Sequence, residues 1–101
     1  IPVILTTRNV RQGIRHVSGT NVLVRRIDRR YFFGFDYMLA GDFYAPVSDV
    51  EKTLIDIVYY HQYIDKEVLR EFRKRIDRKK LKEYLQHYPK RFREQVMKLV
   101  E

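Results

Sequence analysis

Cysteine is absent from the 101 residues. That removes disulfides, thiolate zinc ligands and cysteine nucleophiles together, and it suits a reducing cytoplasm, the expected location. Glycine is scarce, and Gly13, Gly19, Gly34 and Gly41 are too scattered to form a phosphate-cradling loop. Tryptophan is missing, which leaves Phe and Tyr to fill the core. No apolar run approaches the roughly 20 residues that span a bilayer. The opening stretch Ile1 to Leu5 is too short for a signal peptide and lacks a basic lead-in, so no membrane partner is expected. The chain does not begin with Met, which suits a piece of a longer protein. His16, His61 and His87 lie far apart with no second ligand at metal spacing, so each reads as structural or solvent-exposed. No metal or other cofactor is expected.

What is present is apolar side chain and positive charge. A hydrophobic fraction of 45% with 14% aromatics suffices for a packed core and is too high for a disordered chain. The length suits one domain over residues 1–101. The net charge is +8, which favours polyanions or an acidic protein partner. A charged fraction of 34% also fits a heat-adapted protein, but heat adaptation explains the number of charges and not their sign.

The chain changes character near Val47. Residues 1–47 are rich in β-branched and aromatic types with turn residues between short runs. Five strands are predicted, over 3–7, 13–17, 22–27, 31–35 and 42–47, with a turn at Ser18-Gly19-Thr20-Asn21. In the fourth, Tyr31, Phe33 and Phe35 share one face, and Gly34 marks a bulge or a close backbone approach. Pro46 places the fifth on an edge or at a strand end.

Residues 48–101 repeat apolar positions at helical spacing. Ser48-Asp49-Val50-Glu51 fits a capping box, with the Ser48 hydroxyl and the Glu51 amide in mutual reach. The first helix runs to about His61 with the stripe Val50, Leu54, Ile57 and Val58. Asp56 falls opposite that stripe and is expected to form a surface pair with Lys52. Asp65 caps a second helix (Val68, Leu69, Phe72, Ile76), and Asp77 caps a third (Leu81, Tyr84, Leu85, Tyr88). Pro89 starts a fourth (Phe92, Val96, Leu99, Val100). The expected fold is α+β: a small, mostly antiparallel sheet of about five strands packed against about four short helices.

The charge is unevenly placed. From Arg70 to Arg93 eleven basic residues face only Glu71, Asp77 and Glu83, a net +8 equal to the excess of the whole chain. Arg73, Lys74, Arg75, Arg78, Lys79, Lys80 and Arg91 are the candidate DNA contacts. Six to ten phosphate contacts would give strong, salt-sensitive binding that positions a duplex without reading its sequence. A solvated basic face is the alternative. Tyr31, Phe32, Phe33, Phe35 and Tyr37 could form a stacking platform for single strands, but a chain without Trp needs most of them in its core.

No nucleophile–base pair is visible, and the chain is expected not to be an enzyme. Asp36 and Asp42, flanking Gly41, are the only carboxylates that suggest a metal-dependent nuclease, and capping of loops by Asp is the commoner use.

The run Tyr44-Ala45-Pro46-Val47-Ser48-Asp49-Val50-Glu51-Lys52-Thr53-Leu54-Ile55-Asp56 resembles the hallmark of the AbiEi-type antitoxins, regulators of abortive-infection, type IV toxin–antitoxin modules. Ser48, Glu51, Lys52, Thr53 and Asp56 match the motif. The resemblance implies a C-terminal domain of a longer regulator whose winged helix lies elsewhere, with double-stranded DNA and a nucleotidyltransferase-fold toxin as partners and with no catalytic residues. Physically, the motif reads as a helix start, with Thr53 and Asp56 anchoring it to the sheet. The function expected is therefore a non-enzymatic antitoxin or regulator domain that binds a protein partner and assists DNA binding. The alternatives are a pure interaction module for an acidic partner, or a small nucleic-acid-binding protein or nuclease.

Overall fold

The structure, a computed structural model, describes residues 1–17, 19–40 and 42–101, with every side chain among them except those of Ala40 and Phe43. Ser18, in the expected first turn, and Gly41, between the two aspartates, lie outside the described residues. The chain is α+β, with strands first and helices after. It divides into two compact units, Ile1–Asp49 and Val50–Glu101.

The first unit is a five-stranded sheet of β1 (Val3–Thr6), β2 (Gly13–Val17), β3 (Thr20–Arg26), β4 (Phe35–Ala40) and β5 (Phe43–Ser48). The strand order is β2-β3-β1-β5-β4. β1 and β3 run parallel, and the other neighbours are antiparallel. The register sets Ile4 beside both Val24 and Val47, and the period-2 pleat then brings Val22 and Ala45 to the same face. Val22 and Ala45 are buried there against Ile4, Val17 and Val24. Burial of each larger aliphatic side chain contributes about 1.5–3 kcal/mol.

The strand expected at 31–35 does not form. Asp28 accepts a hydrogen bond from the Arg30 amide (2.9 Å) and caps a single 3-10 turn, Arg29–Tyr31. The Arg30 side chain donates to the same carboxylate and, with the amide, holds it below the ordinary aspartate range. Tyr31 is buried in this turn, so it does not share a pleat face with Phe35. Gly34 leads into β4 at φ +74°, a conformation open chiefly to glycine. A local cap thus overrides aromatic strand propensity, which is weak and dependent on context.

The second unit holds α1 (Val50–Tyr59), α2 (Lys66–Arg75), α3 (Arg78–Leu85) and α4 (Lys90–Val100). Asp65 accepts from Val68 N, and Asp77 accepts from Lys79 N and Lys80 N, so both caps form as expected. Pro89 sits one position earlier than expected, at the cap itself. Leu81, Leu85, Tyr88, Val96 and Val100 are buried. Val68, expected in the α2 stripe, is exposed. Tyr59, Tyr88 and Phe92 form an aromatic cluster with centroids 5.0 to 5.8 Å apart. Among the described residues no helix is long and apolar enough to cross a membrane.

α1 ends two residues before the expected boundary. His61 stands beyond it at φ 55° and donates its amide to the Val58 carbonyl (3.1 Å). This left-handed closing position normally carries glycine, and a side chain there costs about 1 kcal/mol. His61→Gly is therefore expected to raise the stability of the helical unit by about 0.5–1 kcal/mol, read as a higher urea midpoint at constant slope.

Candidate nucleic-acid interface

The basic residues predicted to contact DNA divide into three groups. Arg73 and Arg78 are held. Arg73 donates from Nε to the Leu99 carbonyl (2.9 Å), and Arg78 donates from Nη2 to the Val100 carbonyl (2.8 Å). The last carbonyls of a helix lack amide partners, and the negative end of its dipole favours cations. These two arginines therefore cap α4 with the end of α2 and the start of α3.

Lys74 and Arg75 are loosely held. Both reach Glu71, at 3.6 and 3.8 Å, and all three side chains are exposed. Pairs of this kind contribute little and can open to a competing anion. Lys80 is tied inward. Its Nζ lies 3.5 Å from a carboxylate oxygen of buried Glu51 and 5.7 Å from the centroid of Tyr84.

Lys79 and Arg91 are exposed and make no ion pair or hydrogen bond through their side chains among the described residues. They are not neighbours. Arg91 opens α4, about 12 Å by helical rise from the end at which Arg73 and Arg78 dock. The predicted cluster is thus one group at the α2–α3 junction plus a separate Arg91.

Two further cations emerge from the packing. Lys82 of α3 and Lys98 of α4 line one groove of about 310 Å³ together with Leu85, Arg93, Glu94, Met97 and Glu101. Lys98 lies outside the 70–93 stretch, and a running charge count cannot find it. It shares the lining of this groove with Lys82.

The hallmark run opens α1 at Val50, as a helix start would, but Glu51, Lys52 and Asp56 have surroundings that differ from those expected. Ser48 closes β5, and its hydroxyl donates to the Asp49 carbonyl (3.3 Å). The Glu51 carboxylate accepts from the Asp77 amide (3.0 Å) as well as pairing with Lys80, so it binds the start of α3 and does not close a capping box with Ser48. Lys52 and Asp56 do pair, at 2.5 Å, but their side chains are 0% and 2% exposed, not at the surface. The expectation failed because α1 buries more than its apolar stripe: Ile55, Glu51, Lys52 and Asp56 are buried as well as Leu54 and Val58. Thr53 is half-buried.

The remaining candidates separate. Asp36 lies on β4 and Asp42 beyond its end, about 13 Å away by strand rise, so the two do not form a metal-binding pair. Among the described residues no group of three or more His, Asp and Glu could hold a metal. The aromatic run forms no common platform. Tyr31 is buried, Phe32, Phe33 and Phe35 are half-buried, and Tyr37 stands out from the sheet. Phe35 packs on Phe32 (centroids 4.6 Å) and edge-on to Tyr37 (5.7 Å).

No family model, curated protein or solved structure matches the chain.

Proposed function

We propose that this chain is a non-enzymatic, intracellular domain of an antitoxin-type regulator, which binds a protein partner and assists duplex DNA binding through exposed cations of its helical unit. The observation that carries the DNA part is the α2–α3 junction. There Lys74, Arg75 and Lys79 have at most a loose ion pair, while Arg73, Arg78 and Lys80 are engaged by carbonyls and by Glu51. The engaged three fix the helix ends, and the other three sit on that fixed frame with Lys82 one turn further along α3. The antitoxin assignment rests on the hallmark run 44–56, and a nucleotidyltransferase-fold toxin is the partner that it suggests.

About four phosphate contacts are expected from Lys74, Arg75, Lys79 and Lys82, fewer than the cation count alone implies. Log affinity for a duplex of arbitrary sequence should then fall against log salt with a slope of about −3 to −4. Fluorescence anisotropy across a potassium chloride series measures it. Undetectable binding at low salt removes the DNA role and leaves the protein-partner role alone.

A further inference from the structure

The positive charge of the chain has a gap. From Tyr31 to Val50 there is no Lys or Arg, and the acids Asp36, Asp42 and Asp49 fall inside it. This stretch contains β4, one of the two edge strands of the sheet. Tyr37, Met38 and Leu39 of β4 and Tyr44 of β5 are 67%, 53%, 61% and 71% exposed. Three consecutive exposed apolar residues mean that both faces of the strand meet solvent. Natural edge strands are usually blunted by lysine, proline or a bulge. β4 has no Lys or Pro, and its register with β5 is unbroken from Phe35↔Ser48 to Ala40↔Phe43.

The polarity of the edge follows from one bond. The Asp49 amide donates to the Gly34 carbonyl (2.9 Å), so positions 34, 36, 38 and 40 bond to β5 and positions 35, 37 and 39 direct their backbone groups outward. We propose that β4 pairs antiparallel with β4 of a second copy of this chain, with the two-fold axis at Tyr37. That register sets Tyr37 opposite Tyr37 and Phe35 opposite Leu39, and it forms about six new backbone hydrogen bonds. Asp36 falls opposite Met38, so the two Asp36 carboxylates are not directly opposed. On one face, Tyr37 and Leu39 of each copy join Tyr44, the cross-strand neighbour of Leu39.

The area argues for a second copy. An aromatic side chain offers about 150–250 Å², so the four exposed residues present on the order of 400 Å² per copy. With the strand backbone added on both sides, the contact approaches the roughly 1,000 Å² of a specific interface. The absence of basic residues matters equally, because two chains of charge +8 repel except where that charge is missing. The β2 edge is a poorer mate. It carries Arg15, and pairing it with β4 gives an open-ended, head-to-tail array instead of a closed pair.

Repulsion between the bodies gives the pairing a salt dependence opposite in sign to DNA binding, so failure of one does not imply failure of the other. Sedimentation equilibrium should show a dimer that tightens at least about threefold from ~50 to ~300 mM salt. Leu39→Lys should yield a monomer with an unchanged helical spectrum. Because the chain has no cysteine, Tyr37→Cys provides a direct register test. A directly opposed, hydrogen-bonded pair has Cα atoms about 5.5 Å apart, within disulfide range, so mild oxidation should link two copies rapidly. Ile14→Cys on the β2 edge should link slowly. A monomer at ~100 μM throughout this salt range, where affinities of standard-sized contacts would show, overturns the proposal. So does an open polymer, or linkage from position 37 no faster than from position 14.

Discussion

Asp56→Ala is expected to cost about 3–5 kcal/mol, because it leaves the Lys52 ammonium buried without its carboxylate. Lys52 and Asp56 stand one helical turn apart on α1, 2.5 Å between charged atoms, with almost no solvent on either side chain. An ion of this kind has already given up its hydration, and the paired carboxylate supplies part of the compensation. Removing the partner therefore exceeds by several-fold the cost of breaking a surface pair, about 0.3–0.5 kcal/mol for an i,i+4 pair on a helix. Domain stabilities are typically 5–15 kcal/mol, so the change consumes much of the margin. Urea unfolding followed by helical circular dichroism should show a midpoint lower by about 1.5–3 M. The double change Lys52→Met with Asp56→Leu should recover most of the loss, since apolar residues of similar volume often replace a buried pair without penalty. A single variant within 1 kcal/mol of the parent, a surface-like cost, refutes the burial of this pair as a structural element.

The same pair shows where the sequence was legible and where it was not. Asp65 and Asp77 were readable as caps because capping is local: an acceptor two or three residues from the amides it serves. Gly13–Val17 is readable as a strand that opens on Gly13. Lys52 and Asp56 had the spacing of an ordinary surface pair, and nothing within one turn announces that a helix will be covered on most sides. Spacing pairs Glu51 with Ser48, three residues before it, whereas its carboxylate serves Asp77, twenty-six residues on. Residue type places Tyr31 in a strand, whereas the Asp28 carboxylate sets its backbone. The candidate interface suffered in the same way. Charge counting located the basic stretch, but it could not tell Arg73 and Arg78, spent on the carbonyls of α4, from Lys79, which projects outward.

That distinction makes the DNA proposal testable residue by residue. Lys79→Glu combined with Lys82→Glu is expected to weaken duplex binding by about 100-fold at low salt and to flatten the salt slope by about 2, similarly for unrelated sequences. Both side chains are exposed on α3 and carry no intramolecular partner among the described residues, so the helical unit should keep its stability within about 0.5 kcal/mol, as surface changes usually do. Arg78→Ala should behave in the reverse manner. It removes the 2.8 Å bond to the Val100 carbonyl, which is worth about 1 kcal/mol of stability, and leaves the salt slope nearly unchanged. Lys80 is the wrong residue for this purpose. A glutamate there would meet buried Glu51 and report on folding. Anisotropy with two duplexes of different sequence, run beside urea melts of each variant, separates the cases. If the Lys79–Lys82 double variant binds as tightly as the parent, the outward face of α3 is not the contact, and the excess charge serves solvation or an acidic partner instead. If Arg78→Ala alone abolishes the salt slope, the arginines that cap α4 are themselves the DNA-facing group, and the division into engaged and available cations is wrong.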